Sequence, residues 1–237
     1  SVVLDGELWV LGGQNNSGIL QSVEVWNPQH STWRFSPSFR QRRAGHVGGV
    51  VGSSLVIAGG HGDDHDDNYI ASAEAFSPAT GWTSLPPMPH AAIRATSVVL
   101  GGRLYVAGGG GCDKLQMWDG TAWTLKADLP AKRQQAASVA VDGKMWVIGV
   151  FVPTAAWGEG DAASVIISDP ETDSWTTGVP LPSPRNGCQA TVEHMGSILV
   201  VGSAGGDPPL RFREGVWAEL PEAESVACPC IGSVLLG

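Results

Sequence analysis

This chain is poor in the residues that announce chemistry or membrane insertion. Only 14 of its 237 residues are Lys or Arg against 23 Asp or Glu, for a formal charge of −9. A general nucleic-acid binder needs clustered cations to neutralise phosphate, so that class is set aside. No run of about 18 apolar residues occurs, so no membrane-spanning helix is expected. The four cysteines, Cys112, Cys188, Cys228 and Cys230, form no Cys-x-x-Cys pair and no zinc spacing. They read as small buried thiols in a reducing compartment, which points to cytoplasm or nucleus. No signal peptide, phosphate loop, dinucleotide fingerprint or Ser/His/Asp constellation is visible. The chain opens in mid-strand with Ser1-Val2-Val3-Leu4 and no Met, which suggests a piece of something longer.

What is present is glycine, tryptophan and repetition. The 32 glycines and 16 prolines punctuate short apolar runs, as a many-turned β protein requires. Five times an apolar strand ends in glycine: Gly12-Gly13, Gly59-Gly60, Gly108-Gly109, Gly149 and Gly202. Five times a lone Trp follows: Trp33, Trp82, Trp123, Trp175 and Trp217. A repeat of 41 to 52 residues with no helical stretch predicts radially arranged blades. Each repeat divides into strands a to d. Strand a is expected at 47–51, 96–100, 137–141 and 189–193. Strand b is expected at 8–11, 55–58, 104–107, 145–148 and 198–201. The turns between them are Asp5-Gly6, Gly52-Ser53-Ser54, Gly101-Gly102, Asp142-Gly143 and Gly196-Ser197. The repeats fall near 1–40, 41–90, 91–131, 132–184 and 185–222. Residues 223–237 read as a partial repeat, whose tail, 230–237, matches one further strand a. The expectation is a single all-β propeller of five near-complete four-stranded blades plus that strand. Two rings fit, one of five blades and one of six with an incomplete repeat; the second is preferred.

These residues resemble the kelch repeat. The resemblance rests on Arg43-Ala44-Gly45-His46, Val56-Ile57-Ala58-Gly59-Gly60, Ala73-Glu74-Ala75-Phe76, Trp82 and Leu85-Pro86-Pro87-Met88. It rests also on Trp9-Val10-Leu11-Gly12-Gly13, Ser22-Val23-Glu24-Val25-Trp26 and Trp33. The fourth and fifth repeats are degenerate, with Gly149-Val150 and Gly202-Ser203. The resemblance implies a binding module rather than an enzyme, with a protein partner. It is similar to kelch domains joined to BTB or F-box segments, which recruit substrates to cullin-based ubiquitin ligases. No cofactor is implied.

In an antiparallel blade the d–a and b–c loops emerge on one face, and the candidate site residues lie there. Arg43, Arg94, Arg133 and Arg185 appear once per blade in the d–a loops. Converging, they would form an anion site for an acidic or mixed protein segment. Alternatively they are scaffold residues bonding to neighbouring loops. Arg40, Gln41, Arg42 and Arg43 form a denser cluster, with His46 close by. The b–c loops are read as 14–21, 61–71, 110–114, 150–163 and 203–209. The second holds His61, Asp63, Asp64, His65, Asp66 and Asp67. His61, Asp63, His65 and Asp66 would be the metal ligands if it binds one, but a solvated acidic loop tip is the preferred reading. The fourth carries Phe151 and Trp157, either a partner-binding apolar patch or loop packing. The alternative function is an enzyme acting on a sugar or small anion in the central funnel, a mutarotase or metal-assisted lyase.

Overall fold

The computed structural model describes residues 1–62, 69–149, 162–185, 190–202 and 207–220. It contains five four-stranded antiparallel sheets in strict sequence order. Blade 1 is β1 (Val2–Leu4), β2 (Glu7–Asn15), β3 (Gly18–Asn27) and β4 (Thr32–Ser36). Blade 2 is β5 (Val47–Val51), β6 (Ser54–Ala58), β7 (Ala73–Ser77) and β8 (Gly81–Leu85). Blade 3 is β9 (Thr96–Leu100), β10 (Arg103–Ala107), β11 (Leu115–Trp118) and β12 (Trp123–Lys126). Blade 4 is β13 (Ala137–Val141), β14 (Lys144–Ile148), β15 (Val165–Asp169) and β16 (Ser174–Thr177). Blade 5 is β17 (Ala190–His194), β18 (Ser197–Val201), β19 (Leu210–Arg213) and β20 (Val216–Glu219). The inner strands β1, β5, β9, β13 and β17 touch in that order, which gives a five-bladed propeller and not the six-bladed ring preferred from the sequence, because blade number is set by packing between blades rather than by the repeat itself. The partial repeat expected at 223–237, with its strand at 230–237, lies outside the described residues.

Two sequence expectations shift. Residues 14–21 are not an open b–c loop in blade 1. β2 and β3 continue past the glycines as a long hairpin, with Gln14 opposite Ile19 and a bulge between Leu11 and Gly13. In blade 5 the a–b turn is Met195-Gly196 rather than Gly196-Ser197, because Glu193 pairs with Ile198 and His194 with Ser197. Met195 takes φ 49° and Gly196 φ 71°, the two positive angles of a tight type I′ turn.

Core and periphery follow from alternation along each strand. Four apolar clusters lie between successive blades. Trp9, Leu11, Val23 and Val25 of blade 1 meet Leu55, Ile57, Phe76 and Trp82 of blade 2. Comparable sets join blades 2 and 3, 3 and 4, and 4 and 5. Leu55, Ile57, Leu104 and Met145 are fully buried. Each such side chain contributes about 1.5–3 kcal/mol relative to an exposed one.

The repeated glycines and tryptophans are blade-to-blade staples. The second glycine of each intact pair donates its N–H to the next blade's d–a loop. Gly13 reaches the Arg43 carbonyl at 3.0 Å, Gly60 that of Ala92 at 2.6 Å and Gly109 that of Arg133 at 2.6 Å. The first glycine lies against the same carbonyls. A Cβ at Gly12, Gly59 or Gly108 would stand 2.6, 2.4 or 2.3 Å from that oxygen. The tryptophans point the other way. The indoles of Trp82, Trp123, Trp175 and Trp217 donate to the carbonyls of Pro37, Pro86, Ala127 and Val179 on the segment leaving the preceding blade. Trp33, in the first blade, is 53% exposed.

Candidate functional site

The d–a loop arginines do not form one ring. The glycine staples fix the register, and in blade 3 the residue equivalent to Arg43 and Arg133 is Ala92. Arg94 lies two residues further on and matches Gly45 and Gln135. All three have positive φ, 63°, 53° and 52°. They are joined from blade to blade: the Arg94 N–H donates to the Gly45 carbonyl at 2.7 Å, and the Gln135 N–H to the Arg94 carbonyl at 2.8 Å. Deeper in the channel the Ser97 hydroxyl donates to the Gly48 carbonyl, and the Ser138 hydroxyl to that of Ser97. Hydrogen bonds thus run across the inner strands of blades 2, 3 and 4.

Arg43, Arg133 and Arg185 turn inward and are 0%, 5% and 1% exposed. The Arg43 guanidinium donates to the carbonyls of Gly59 and Ser72, to the Ser72 hydroxyl and to the Glu74 carboxylate at 2.9 Å. Burial lowers its pKa, and Glu74 opposes that shift. Glu74 also accepts the backbone N–H groups of Arg40 and Gln41, so one carboxylate holds both the cation and the incoming chain. Arg133 repeats the arrangement on the carbonyls of Gly149 and Ser164 and the Ser164 hydroxyl. Arg185 donates to the Pro208 carbonyl at 2.7 Å and lies 3.9 Å from Asp207. Blade 3 shows why the charges come together. Where Arg43 becomes Ala92, Glu74 becomes Gln116, which accepts from the His90 N–H and donates to the His90 carbonyl. A buried carboxylate without its cation would be costly, and the neutral amide still ties the loop. For these three arginines, burial and bonding correspond to the scaffold alternative. Their convergence into an anion site is corrected by the inward direction of the side chains.

Among the described residues the exposed cations of the d–a loops are Arg40, Arg42, Arg94 and Lys132. Arg40 donates to the Trp82 carbonyl. Arg42 and Arg94 engage no acidic partner among the described residues. Tyr69 packs beside Arg94's loop: a Cβ on Gly110 would meet its ring at 2.7 Å and Ile93 at 3.0 Å. His46 and His61 both sit at the base of the loops. His61 is buried, and its backbone bridges Ala44 and Tyr69. Burial, with Arg43 adding to it, pushes the His46 imidazole down to about 3, so it is neutral at pH 7. Asp63, His65, Asp66, Phe151 and Trp157 lie outside the described residues. Cys112 is half-buried rather than buried. Gln135 was missed by the sequence reading. Its signal was positional, two residues beyond the residue that receives the glycine staple.

A kelch motif profile matches residues 1–40 and 42–89. Kelch-like protein 26 of Danio rerio is 34% identical over 107 residues, covering 45% of this chain and 18% of that protein. Kelch-like protein 35 of Mus musculus is 26% identical over 200 residues, covering 81% of this chain and 32% of the relative. The chain thus spans a third or less of these proteins. The solved structure of YjhT superposes with a TM-score of 0.73 at 17% identity, over 92% of this chain and 82% of that one, which shows the shared fold. With the glycine staples, the tryptophan staples and the five blades, these matches show a propeller built of kelch-type repeats, similar to the kelch-like proteins.

Proposed function

We propose that this propeller is a protein-interaction module whose d–a/b–c loop face receives an acidic segment of a partner protein. The observation that carries the reading is the division of labour among its arginines. Arg43, Arg133 and Arg185 are locked inside the blades, whereas Arg42 and Arg94 stand exposed at the loop face. Their guanidiniums would take partner carboxylates in paired hydrogen bonds. The similarity to kelch-like proteins supports a finer reading, that the chain selects substrates for a cullin-type ubiquitin ligase when carried with a BTB or F-box segment.

The test is fluorescence anisotropy with a labelled hexaglutamate peptide at low salt. Arg42→Gln with Arg94→Gln is expected to weaken binding by about fivefold, the size of two exposed charge contacts. The melting temperature is expected to stay put, since Gln135 already occupies the equivalent positive-φ position. Equal binding by the wild type and the double variant would overturn the reading.

A further inference from the structure

At the opposite end of the strands from the loop face, blades 4 and 5 part to form a cleft of about 430 Å³. Its walls include Trp146 of β14 and Phe212 of β19, with ring centroids 5.4 Å apart and planes at 53°. Its rim carries Asp142, Glu193, Glu214 and Arg213. We infer that this cleft is a docking site for an arginine side chain of a partner protein.

Glu193 pairs with Ile198 at the strand position where blade 2 has Val50 opposite Leu55. Trp146 and Phe212 occupy the positions of Trp9 and Phe76. Between blades 1 and 2 that aromatic pair is sealed, with Trp9 5% and Phe76 7% exposed and Val50 packed against the cluster. Between blades 4 and 5 both rings are half-exposed and the valine is replaced by an exposed carboxylate. One Glu193 oxygen accepts the Gly196 N–H at 2.9 Å, which holds the side chain at the turn. Three carboxylates and one guanidinium leave a rim charge of −2, and Arg213 already sits 3.5 Å from Glu214. An apolar floor beneath a negative rim complements a side chain with an apolar stem and a cationic head. A planar guanidinium both stacks on aromatic rings and pairs with carboxylates, which favours arginine over lysine.

The experiment is a titration of isotope-labelled protein with acetyl-Gly-Arg-Gly-amide, its lysine equivalent and its uncharged citrulline equivalent. The readout is the Trp146 indole signal, assigned with Trp146→Phe, and the Gly196 amide. Saturable shifts at both are expected with the arginine peptide, and binding of the citrulline peptide at least about threefold weaker. Glu193→Gln keeps the side chain's shape, and Asp142→Asn is a second charge removal far from the inner core. Each is expected to weaken the arginine peptide by about threefold. The Arg42→Gln/Arg94→Gln protein is expected to bind the peptide normally, which separates this site from the loop face. Absence of a saturable Trp146 shift, equal binding of citrulline, or indifference to both charge removals would overturn the assignment.

Discussion

The interface between blades 1 and 2 and the interface between blades 4 and 5 are built on the same aromatic positions. Trp9, Phe76 and Trp82 in the first correspond to Trp146, Phe212 and Trp217 in the second. The stacking is alike: Phe76 and Trp82 lie 5.4 Å apart, Phe212 and Trp217 4.9 Å apart. Yet one set is a dry core and the other walls an open cleft. The difference lies in the residues around the rings. Leu4 and Val50 close the first, whereas half-buried Val141 and exposed Glu193 stand at the second. A repeat architecture keeps its staples while single strand positions decide whether an interface is core or site.

The largest expected effect comes from the scaffold behind the sealed interface. Arg43→Ala leaves the Glu74 carboxylate buried without its cation and frees the carbonyls of Gly59 and Ser72. Loss of about 3–5 kcal/mol is expected in a denaturant titration. Arg43→Ala with Glu74→Gln, the combination blade 3 approximates with Ala92 and Gln116, is expected to recover part of that loss. If the double variant is no better than the single one, the charge-pair explanation fails.

Next is the conversion of one interface into the other. Val50→Glu places a carboxylate against the Trp9–Phe76 pair and is expected to cost about 2–3 kcal/mol. Indole emission should shift to the red as Trp9 becomes wet. The reverse change, Glu193→Val, is expected to gain about 0.5–1 kcal/mol by covering Trp146 and Phe212. A gain at position 193 with no loss at position 50 would show that these positions do not control the seal.

A pH effect separates the same regions. The His46 pKa is about 3 in the fold, held down chiefly by burial, and about 6.5 in an unfolded chain. The unfolded state therefore binds the extra proton between those values. Stability present above pH 6.5 is expected to fall on acidification through that window and to level off below about pH 3. His46→Gln should flatten this slope for the blade 1–2 region while leaving the Trp146 signal's response unchanged. An unaltered slope, measured as unfolding free energy between pH 7 and pH 4, would remove His46 as the cause.

The blade count within the described chain, the strand positions and most turns were legible in the sequence, for local reasons. Alternating apolar residues mark strands, and Asp5-Gly6 or Asp142-Gly143 specify turns with positive φ. Gly59-Gly60 and Trp82 were legible as punctuation but not as staples, because their partners, Ala92 and Pro37, are on neighbouring blades. The candidate site was legible only as a face. The alignment of Arg94 with Arg43 failed by two residues, since spacing within a loop does not reveal which residue meets the preceding glycine.

By itself the sequence determined that this protein is a set of kelch blades, because strand period, turn chemistry and the glycine and tryptophan repeat are encoded over a few neighbouring residues. Only the tertiary structure decided that Arg43 points inward while Arg94 points out, and that Glu193 opens a cleft where Val50 closes a core. The physical reason is that the energy of a long or charged side chain is set by groups from adjacent blades. A buried guanidinium is stable only where acceptors converge on it, as the carbonyls of Gly59 and Ser72 and the Glu74 carboxylate do on Arg43, and that convergence exists once the blades have packed.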